Sequence, residues 1–381
     1  MATNGRWLYL DTYTVLEPRR GVPWSDAIGY GVTASSAIRR ELRRKGIEVI
    51  VPRVDLSGID PASGMARTTW ANRLYAQVAF HVRRYRPDVI FIFHIFVVFP
   101  TVVRKTLQDL GVSIPVVGYT HGSHWDSTDL HRFDLYSGLE LADLANMHVL
   151  DRLFLVSGYM RATLQDAIGG FNAAVADDIM SRSRVVGLPL DTELIDSSRV
   201  NGDGGHPTIV FNHAPSAGKN PDLFAKVAGR ILGEREARVL FTRRFEAGSP
   251  GAATISALAR RFGDRVVLGN DMSLVDYYRA LWRSDIQVST ASHESLGMAT
   301  LEAMYTNNCC LLPRLGAYPE VCQDDPQVLY DVDEDELVER LHHVLDHPAE
   351  RRHTAKRLAA LAAQHSPQRV VDRIVDGVVE L

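Results

Sequence analysis

A chain of 381 residues is long for one hydrophobic core and favours two domains. With 46% hydrophobic and 23% charged residues it has the composition of a soluble globular protein. A formal net charge of −4 makes no overall case for nucleic acid or a membrane surface as partner. The longest apolar run, Val89 to Val98, is interrupted by His94 and is strand-sized, and the amino terminus lacks the basic-then-apolar profile of a secretion signal. Three cysteines (Cys309, Cys310 and Cys322) give neither a disulfide framework nor zinc spacing, so a reduced, cytoplasmic setting is expected.

Trp7 to Leu10 reads as a first strand, followed by a polar loop and then Ile28-Gly-Tyr-Gly-Val-Thr33 opening a helix to about Arg44. Ile47 to Val51 is the next strand, completing a βαβ unit. Gly29 and Gly31, flanking Tyr30, suit close backbone approach to a ligand, or a simple turn. They do not complete a dinucleotide fingerprint, since position 34 is Ala. Arg39, Arg40, Arg43, Arg44 and Lys45 form a basic stripe suited to lipid phosphate or RNA, with a solvated outer face as the preferred reading. A helix from about Thr69 ends in Arg83, Arg84 and Arg86, and Pro87 to His94 is a buried parallel strand.

A further helix (101–110) and strand (114–119) lead to Thr120-His-Gly-Ser-His-Trp-Asp126. Ligands of open α/β sheets collect at the carboxyl ends of strands, so His121, His124 and Asp126 are well placed; the alternative is a structural turn. No third or fourth ligand at short spacing supports zinc there. Helix 139–150, strand 152–156 and a helix opening at Ser157 follow, then strand 184–187 and a polar linker from Asn201 to Pro207.

The second half repeats the βα pattern. Strand 208–212 leads into His213-Ala-Pro-Ser-Ala-Gly-Lys-Asn-Pro221, which sets the Lys219 ammonium at a helix start where free N–H groups also favour a diphosphate. Strands 237–242 and 265–269, helix 274–282 and strand 285–289 come next, then the stretch on which the functional reading turns. Ser289-Thr-Ala-Ser-His-Glu-Ser-Leu-Gly-Met-Ala-Thr-Leu-Glu-Ala-Met304 reads as strand end, Gly-containing turn and helix. One carboxylate, Glu294, stands ahead of the helix and a second, Glu302, inside it. The N–H groups at the helix start suit phosphate, and Gly297 to Glu302 rises about 7.5 Å, the span from a diphosphate to a ribose. Two acids flanking an anion site suggest a nucleotide sugar; two ordinary helix-start acids are the alternative. Asp331-Val-Asp-Glu-Asp-Glu336 has metal-like spacing but opens a helix, where acids belong, so no metal is expected.

The string from His293 to Met304 resembles the Glu-x7-Glu signature of family 4 retaining glycosyltransferases. The resemblance implies an α/β chain of two Rossmann-like domains facing across a cleft, the GT-B fold. It implies an acceptor-side domain at 1–200, a donor domain at 201–364, and a helix at 365–381 crossing back to the first. Glu294 would contact the transferred sugar, Ser295, Leu296, Gly297 and Met298 the donor, Glu302 the ribose, and Lys219 the diphosphate. His121 coincides with the family's histidine for sugar or acceptor, with His124 and Asp126 as second choices, and Gly29, Tyr30 and Gly31 match a phosphate or acceptor loop. The family's usual diphosphate arginine is missing; His213, beside Asn212, or else Arg243 or Arg244, would replace it. Gly269 and Asn270, with Asp271, would meet the base. Leu188 and Pro189 depart from the family's Asn-Gly at the domain crossing.

Asn212-His213, Lys219-Asn220-Pro221, His293-Glu294, Gly297, Leu301-Glu302-Ala303 and Tyr318-Pro319-Glu320 resemble more closely the tRNA-queuosine mannosyltransferases, which use GDP-mannose. This likeness covers Thr208 to Leu345. The expectation is therefore a metal-independent, retaining hexosyltransferase with no cofactor beyond its nucleoside-diphosphate sugar, GDP-mannose or a UDP-hexose. Its acceptor would be a small molecule, nucleoside or glycan; nucleic acid has no support from net charge, and peripheral membrane contact is left open. The alternatives are a catalytically inactive nucleotide-sugar binding protein and a sugar-nucleotide epimerase of the same architecture.

Overall fold

A computed structural model describes residues 5–11, 30–55, 57–58, 66–129, 139–201, 205–270 and 272–381. The chain divides into two compact units, the first holding the described residues up to Pro189 together with Pro367–Leu381, the second Leu190–Ser366. The division falls at Pro189/Leu190, ahead of the polar stretch 201–207. Asp191 already caps a helix of the second unit, accepting from the Leu194 N–H at 3.3 Å.

In the first unit the elements run β1 (Arg6–Leu10), α1 (Tyr30–Arg44), β2 (Glu48–Ile50), α2 (Ala66–Tyr85), β3 (Val89–Ile92), α3 (Pro100–Asp109), β4 (Val116–Thr120), α4 (Leu139–His148), β5 (Arg152–Leu155), α5 (Gly158–Phe171), α6 (Ala173–Ser181) and β6 (Ser183–Val185). Six parallel strands lie in the order β2-β1-β3-β4-β5-β6. The centre is apolar on both faces, as parallel sheets covered by helices require: Trp7 to Leu10 of β1 pair Val89 to Ile92 of β3, all buried. The basic residues of α1 are not one solvated face. Arg39 reaches the buried Asp11 at 3.5 Å, Arg44 pairs with Glu41, and Lys45 is ion-paired with Asp372. Asp372 lies on the last helix, α15 (Pro367–Val379), which is also tied to this unit by Arg373 Nε donating to the Val186 carbonyl (2.9 Å) and Arg152 Nε to the Gly377 carbonyl (3.0 Å).

The second unit runs α7 (Thr192–Ser197), β7 (Thr208–Phe211), α8 (Pro221–Glu234), β8 (Arg238–Phe241), α9 (Ala252–Phe262), β9 (Val266–Leu268), α10 (Leu274–Arg283), β10 (Ile286–Val288), α11 (Met298–Tyr305), β11 (Cys309–Pro313), α12 (Tyr318–Val321), β12 (Leu329–Tyr330), α13 (Glu334–Asp346) and α14 (Pro348–Ala362). Its parallel sheet has the order β12-β11-β10-β7-β8-β9. In its core Phe211 stacks on Phe224, which Phe241 meets edge-on, beside Ile209, Val239, Ile286 and Leu311. Asp333 caps α13 by accepting from the Glu336 N–H at 2.9 Å, and the Glu336 carboxylate accepts from the Asp331 N–H at 2.7 Å. Asp333 and Glu336 thus serve the helix start, while Glu334 and Asp335 pair with Arg230. Helices α6, α7, α9 and α12 and strand β12 are absent from the sequence-based expectations, although α9 is bracketed by Gly251 and Gly263.

Candidate functional site

In the second sheet β7 and β10 are neighbours although two strands, β8 and β9, lie between them in chain order. The chain proceeds outward one way from β7 and the other way from β10. Such a reversal leaves a crevice at the carboxyl ends of the two strands, where open α/β sheets bind ligands. The two loops that leave those ends carry Asn212 to Lys219 and Ser289 to Gly297. They are stitched together: the Ser292 N–H donates to the Gly218 carbonyl (2.9 Å), and the Thr290 hydroxyl to the Lys219 and Asn220 carbonyls (2.9 Å each).

That stitching delivers Lys219 to Glu294. The ammonium stands 2.5 Å from Glu294 Oε2 and also donates to the His293 carbonyl at 3.4 Å. With side chains 22% and 14% exposed, the pair is sheltered but reachable. The Tyr318 hydroxyl lies 2.7 Å from Ser289 Oγ and 3.4 Å from Glu294 Oε2. The backbone of Glu294 is held as well, its carbonyl accepting from the Ala317 N–H at 2.9 Å. A side chain at Gly316 (φ 56°) would overlap that carbonyl, so glycine is required there on two counts. Gly297, at φ 90°, turns the chain into α11, and the free N–H groups at that helix start face the same loop. Ser295 is half-buried, and Leu296 and Met298 are buried.

Glu302 lies one turn inside α11 and is only 7% exposed. Tyr277 and Tyr278 of α10 donate to its two oxygens, at 2.6 Å to Oε2 and 3.0 Å to Oε1. Burial pushes the carboxyl above its usual range, while the Tyr277 hydrogen bond, the Arg243 charge and the Tyr278 hydrogen bond pull it back. Both phenols are pushed well above their usual range, first by burial and then by the Glu302 charge, so they remain donors. Asn212 Nδ2 donates to the Tyr277 oxygen (3.1 Å) and the Ala299 carbonyl (2.7 Å). The Arg243 guanidinium sits 5.1 Å from the centre of the Tyr277 ring.

Arg243 is therefore the arginine of its pair that joins this cluster; Arg244, next along, is half-buried. His213 is not a substitute cation. It is buried beside Phe211, its Nε2 lies 3.1 Å from Gln287 Nε2, and burial, then Lys219, then Arg243 push its imidazole well below the usual range. Gly269 and Asn270 stand at the end of the edge strand β9, with β8 between them and β7; Asp271 lies outside the described residues. Tyr277 and Tyr278 escaped sequence reasoning, and Tyr318 entered it only as part of the Tyr318-Pro319-Glu320 resemblance. Their one signal was polarity-bearing aromatics on helices flanking the acid-rich loop.

The first unit gathers its own group at the ends of β3 and β4. His121 is buried against Phe93 and His94 (ring centroids 4.7 Å from each) and Tyr119 (5.3 Å). Burial, then the neighbouring His94, push its imidazole well below the usual range, so it is neutral. His124 Nδ1 lies 2.7 Å from Asp143 Oδ2, and its backbone N–H donates to the same oxygen at 2.8 Å. Asp126 accepts from the Thr128 N–H (2.9 Å) and hydroxyl (2.7 Å), which gives this acid a turn-forming part. Gly29 lies outside the described residues. Tyr30 opens α1, and Gly31 is buried inside that helix instead of in a loop, because helical geometry begins one residue earlier than a ligand loop would allow. Among the described residues no helix is long and apolar enough to cross a membrane.

A family model described as "Glycosyl transferase-like" matches residues 231–376. Solved structures similar to this chain include sucrose-phosphate synthase from Thermosynechococcus elongatus, at 11% identity and TM-score 0.74, covering 99% of this chain and 98% of that one. HepE from Anabaena in complex with UDP gives 13% identity and TM-score 0.67, covering 99% and 100%. In complex with UDP-glucose it gives 14% identity and TM-score 0.65 over the same shares. A glycosyltransferase from Rickettsia africae gives 10% identity and TM-score 0.67, covering 98% of each chain. The two six-stranded parallel sheets match the two Rossmann-like domains of these GT-B glycosyltransferases.

Proposed function

We propose that this protein is a retaining glycosyltransferase that takes its sugar from a nucleoside-diphosphate sugar. The observation that carries the reading is the convergence, at one strand reversal, of the Lys219–Glu294 pair, the start of α11 and the enclosed Glu302. Lys219 and the N–H groups at Gly297 offer positive charge to a diphosphate, and Glu302 lies farther along the same helix to accept ribose hydroxyls. The family match over 231–376 covers most of this site, and the fold is that of nucleotide-sugar enzymes.

In the reaction the bond between the anomeric carbon and the leaving phosphate oxygen breaks, and a bond from that carbon to an acceptor oxygen forms on the same face. The acceptor's proton passes to the departing phosphate. Charge that develops on the diphosphate is met by Lys219 and the helix start, an electrostatic contribution of the oxyanion-hole kind that requires no metal. Glu294, adjacent to both, orients the sugar and is no nucleophile. The neighbour solved with UDP-glucose favours a UDP-hexose, and the likeness of the carboxyl half to queuosine mannosyltransferases favours GDP-mannose. His121 serves as a neutral hydrogen-bonding group on the acceptor side.

The test is a thermal-shift panel of UDP, GDP, ADP and TDP sugars followed by mass analysis of the products. Saturation at about 100 times Kd stabilises by about 2.7 kcal/mol, a rise of roughly 5–11 °C for a unit of this size. Donor hydrolysis or transfer supports the reading. Epimer formation points to an epimerase, tight binding without turnover to a binding protein, and silence across the panel refutes a nucleotide-sugar site.

A further inference from the structure

We infer that Tyr277 is the positioning residue of the donor site: its hydroxyl holds the Glu302 carboxylate in register for a ribose, and its ring underlies the cation that faces the diphosphate. The inference rests on the nucleotide-sugar reading above and adds to it a residue outside the two acid positions and the lysine.

The hydrogen-bond directions fix the arrangement. Asn212 Nδ2 is 2.7 Å from the Ala299 carbonyl, which can only accept, so the amide nitrogen must point that way. The same nitrogen donates to the Tyr277 oxygen at 3.1 Å. Tyr277 therefore has its single proton left for Glu302 Oε2, 2.6 Å away, and Tyr278 supplies the second at Oε1. A carboxylate has about four lone-pair positions. Two are taken by the phenols, one at each oxygen, and one remains on each, which matches the two neighbouring hydroxyls of a ribose. Glu302 is buried, and a phenol donates to each of its carboxylate oxygens, so the carboxylate cannot turn to present itself differently. The other face of Tyr277's role is its ring. Arg243 stands over it at 5.1 Å, so one side chain supports both the acid and the arginine.

A fully buried tyrosine that merely fills the core would predict something else. Tyr277→Phe keeps volume and ring and removes one hydroxyl. If Tyr277 only packs, affinities for all nucleotides fall together or not at all. If it positions Glu302, the loss falls on ligands that carry the ribose hydroxyls.

The experiment measures Kd by calorimetry for UDP and GDP and for their 2′,3′-dideoxy counterparts, on the full chain and on Tyr277→Phe, Tyr278→Phe and Tyr277→Leu. The wild-type protein is expected to prefer the ribo form by about 10-fold or more, as a hydrogen bond to a charged group implies. Tyr277→Phe should cut that preference by about 5-fold or more, with the dideoxy affinity nearly unchanged. Tyr277→Leu should in addition weaken both forms by a few-fold, because Arg243 loses its ring. An unchanged ratio in Tyr277→Phe overturns the inference while leaving the donor site standing, and so does a wild-type protein that binds nucleotide with no ribose preference. No binding of either nucleotide to the wild type overturns the nucleotide-sugar reading itself. Should Tyr277→Phe fail to fold, Asn212→Ala carries the same test, since it releases the Tyr277 proton from its fixed direction and should shrink the ratio likewise.

Discussion

Glu294 and a diphosphate would compete for one ammonium, that of Lys219, and this has an effect of unusual sign. Two unit charges 2.5 Å apart attract by about 2–7 kcal/mol for an effective dielectric between that of water and 20. Desolvation and side-chain ordering offset much of this, and both side chains retain some exposure, so a net worth of about 1–2 kcal/mol is reasonable. A sugar-free nucleoside diphosphate must recover that amount before it can use Lys219. Glu294→Gln removes the competitor at nearly constant shape. UDP or GDP should then bind about 5–30-fold more tightly, while turnover of the sugar nucleotide falls, because Glu294 no longer orients the sugar. Lys219→Met should weaken binding of the same nucleotides about 10–100-fold, and in its background Glu294→Gln should bring no gain. Calorimetric titration of the four proteins at low and high salt reads all of this, the gain being smaller at high salt. Weaker or unchanged nucleotide binding by Glu294→Gln would refute the competition and with it the placing of the diphosphate on Lys219.

Other outcomes follow from groups outside that pair. Glu302→Ala leaves two buried phenols without an acceptor, at about 1–3 kcal/mol each, and should lower the melting temperature of the second unit by roughly 5–15 °C; a shift under 2 °C would mean the phenols find other partners. His121 and His213 stay neutral in the folded protein below the pH at which they would charge in the unfolded chain. Their contribution is complete above pH 6.5 and is lost as pH falls below it, by up to about 1.4 kcal/mol per pH unit for each. Glu302, whose carboxyl is raised, acts with the opposite sign. Urea midpoints of wild type and His121→Gln between pH 7.5 and 5.5 isolate the first unit's share, and parallel curves would show that His121 charges freely. Gly377→Leu places a Cβ 2.8 Å from the Phe154 ring and should destabilise the first unit by about 1–3 kcal/mol in denaturant melts.

The strands were legible because a parallel sheet buried on both faces writes itself as unbroken apolar runs, such as Val89 to Ile92. The donor loop was legible because Gly297 and the two acids form a local pattern. What stayed hidden is tertiary. Lys219 and Glu294 are 75 residues apart and each alone looked ordinary. Tyr277 and Tyr278 are adjacent on a helix, where neighbours in sequence point to different sides, and nothing local says both reach one carboxylate 24–25 residues on. Gly31 looked like a ligand loop because a Gly-x-Gly string fits a turn as well as a helix start. Arg39 looked solvated because its partner, Asp11, follows β1, and a helical wheel shows only the residues of its own helix.

The last helix bears on how the protein is made. Because α15 closes over β5 and the end of β6, the first unit lacks one wall until the entire second unit has been synthesised. Phe154, against which Gly377 eventually packs, has no cover on that side in the nascent chain. Domains ordinarily fold as they emerge, amino-terminal first. Here the first unit can be completed only after all of the second has been made, because its last helix follows the second unit in the chain.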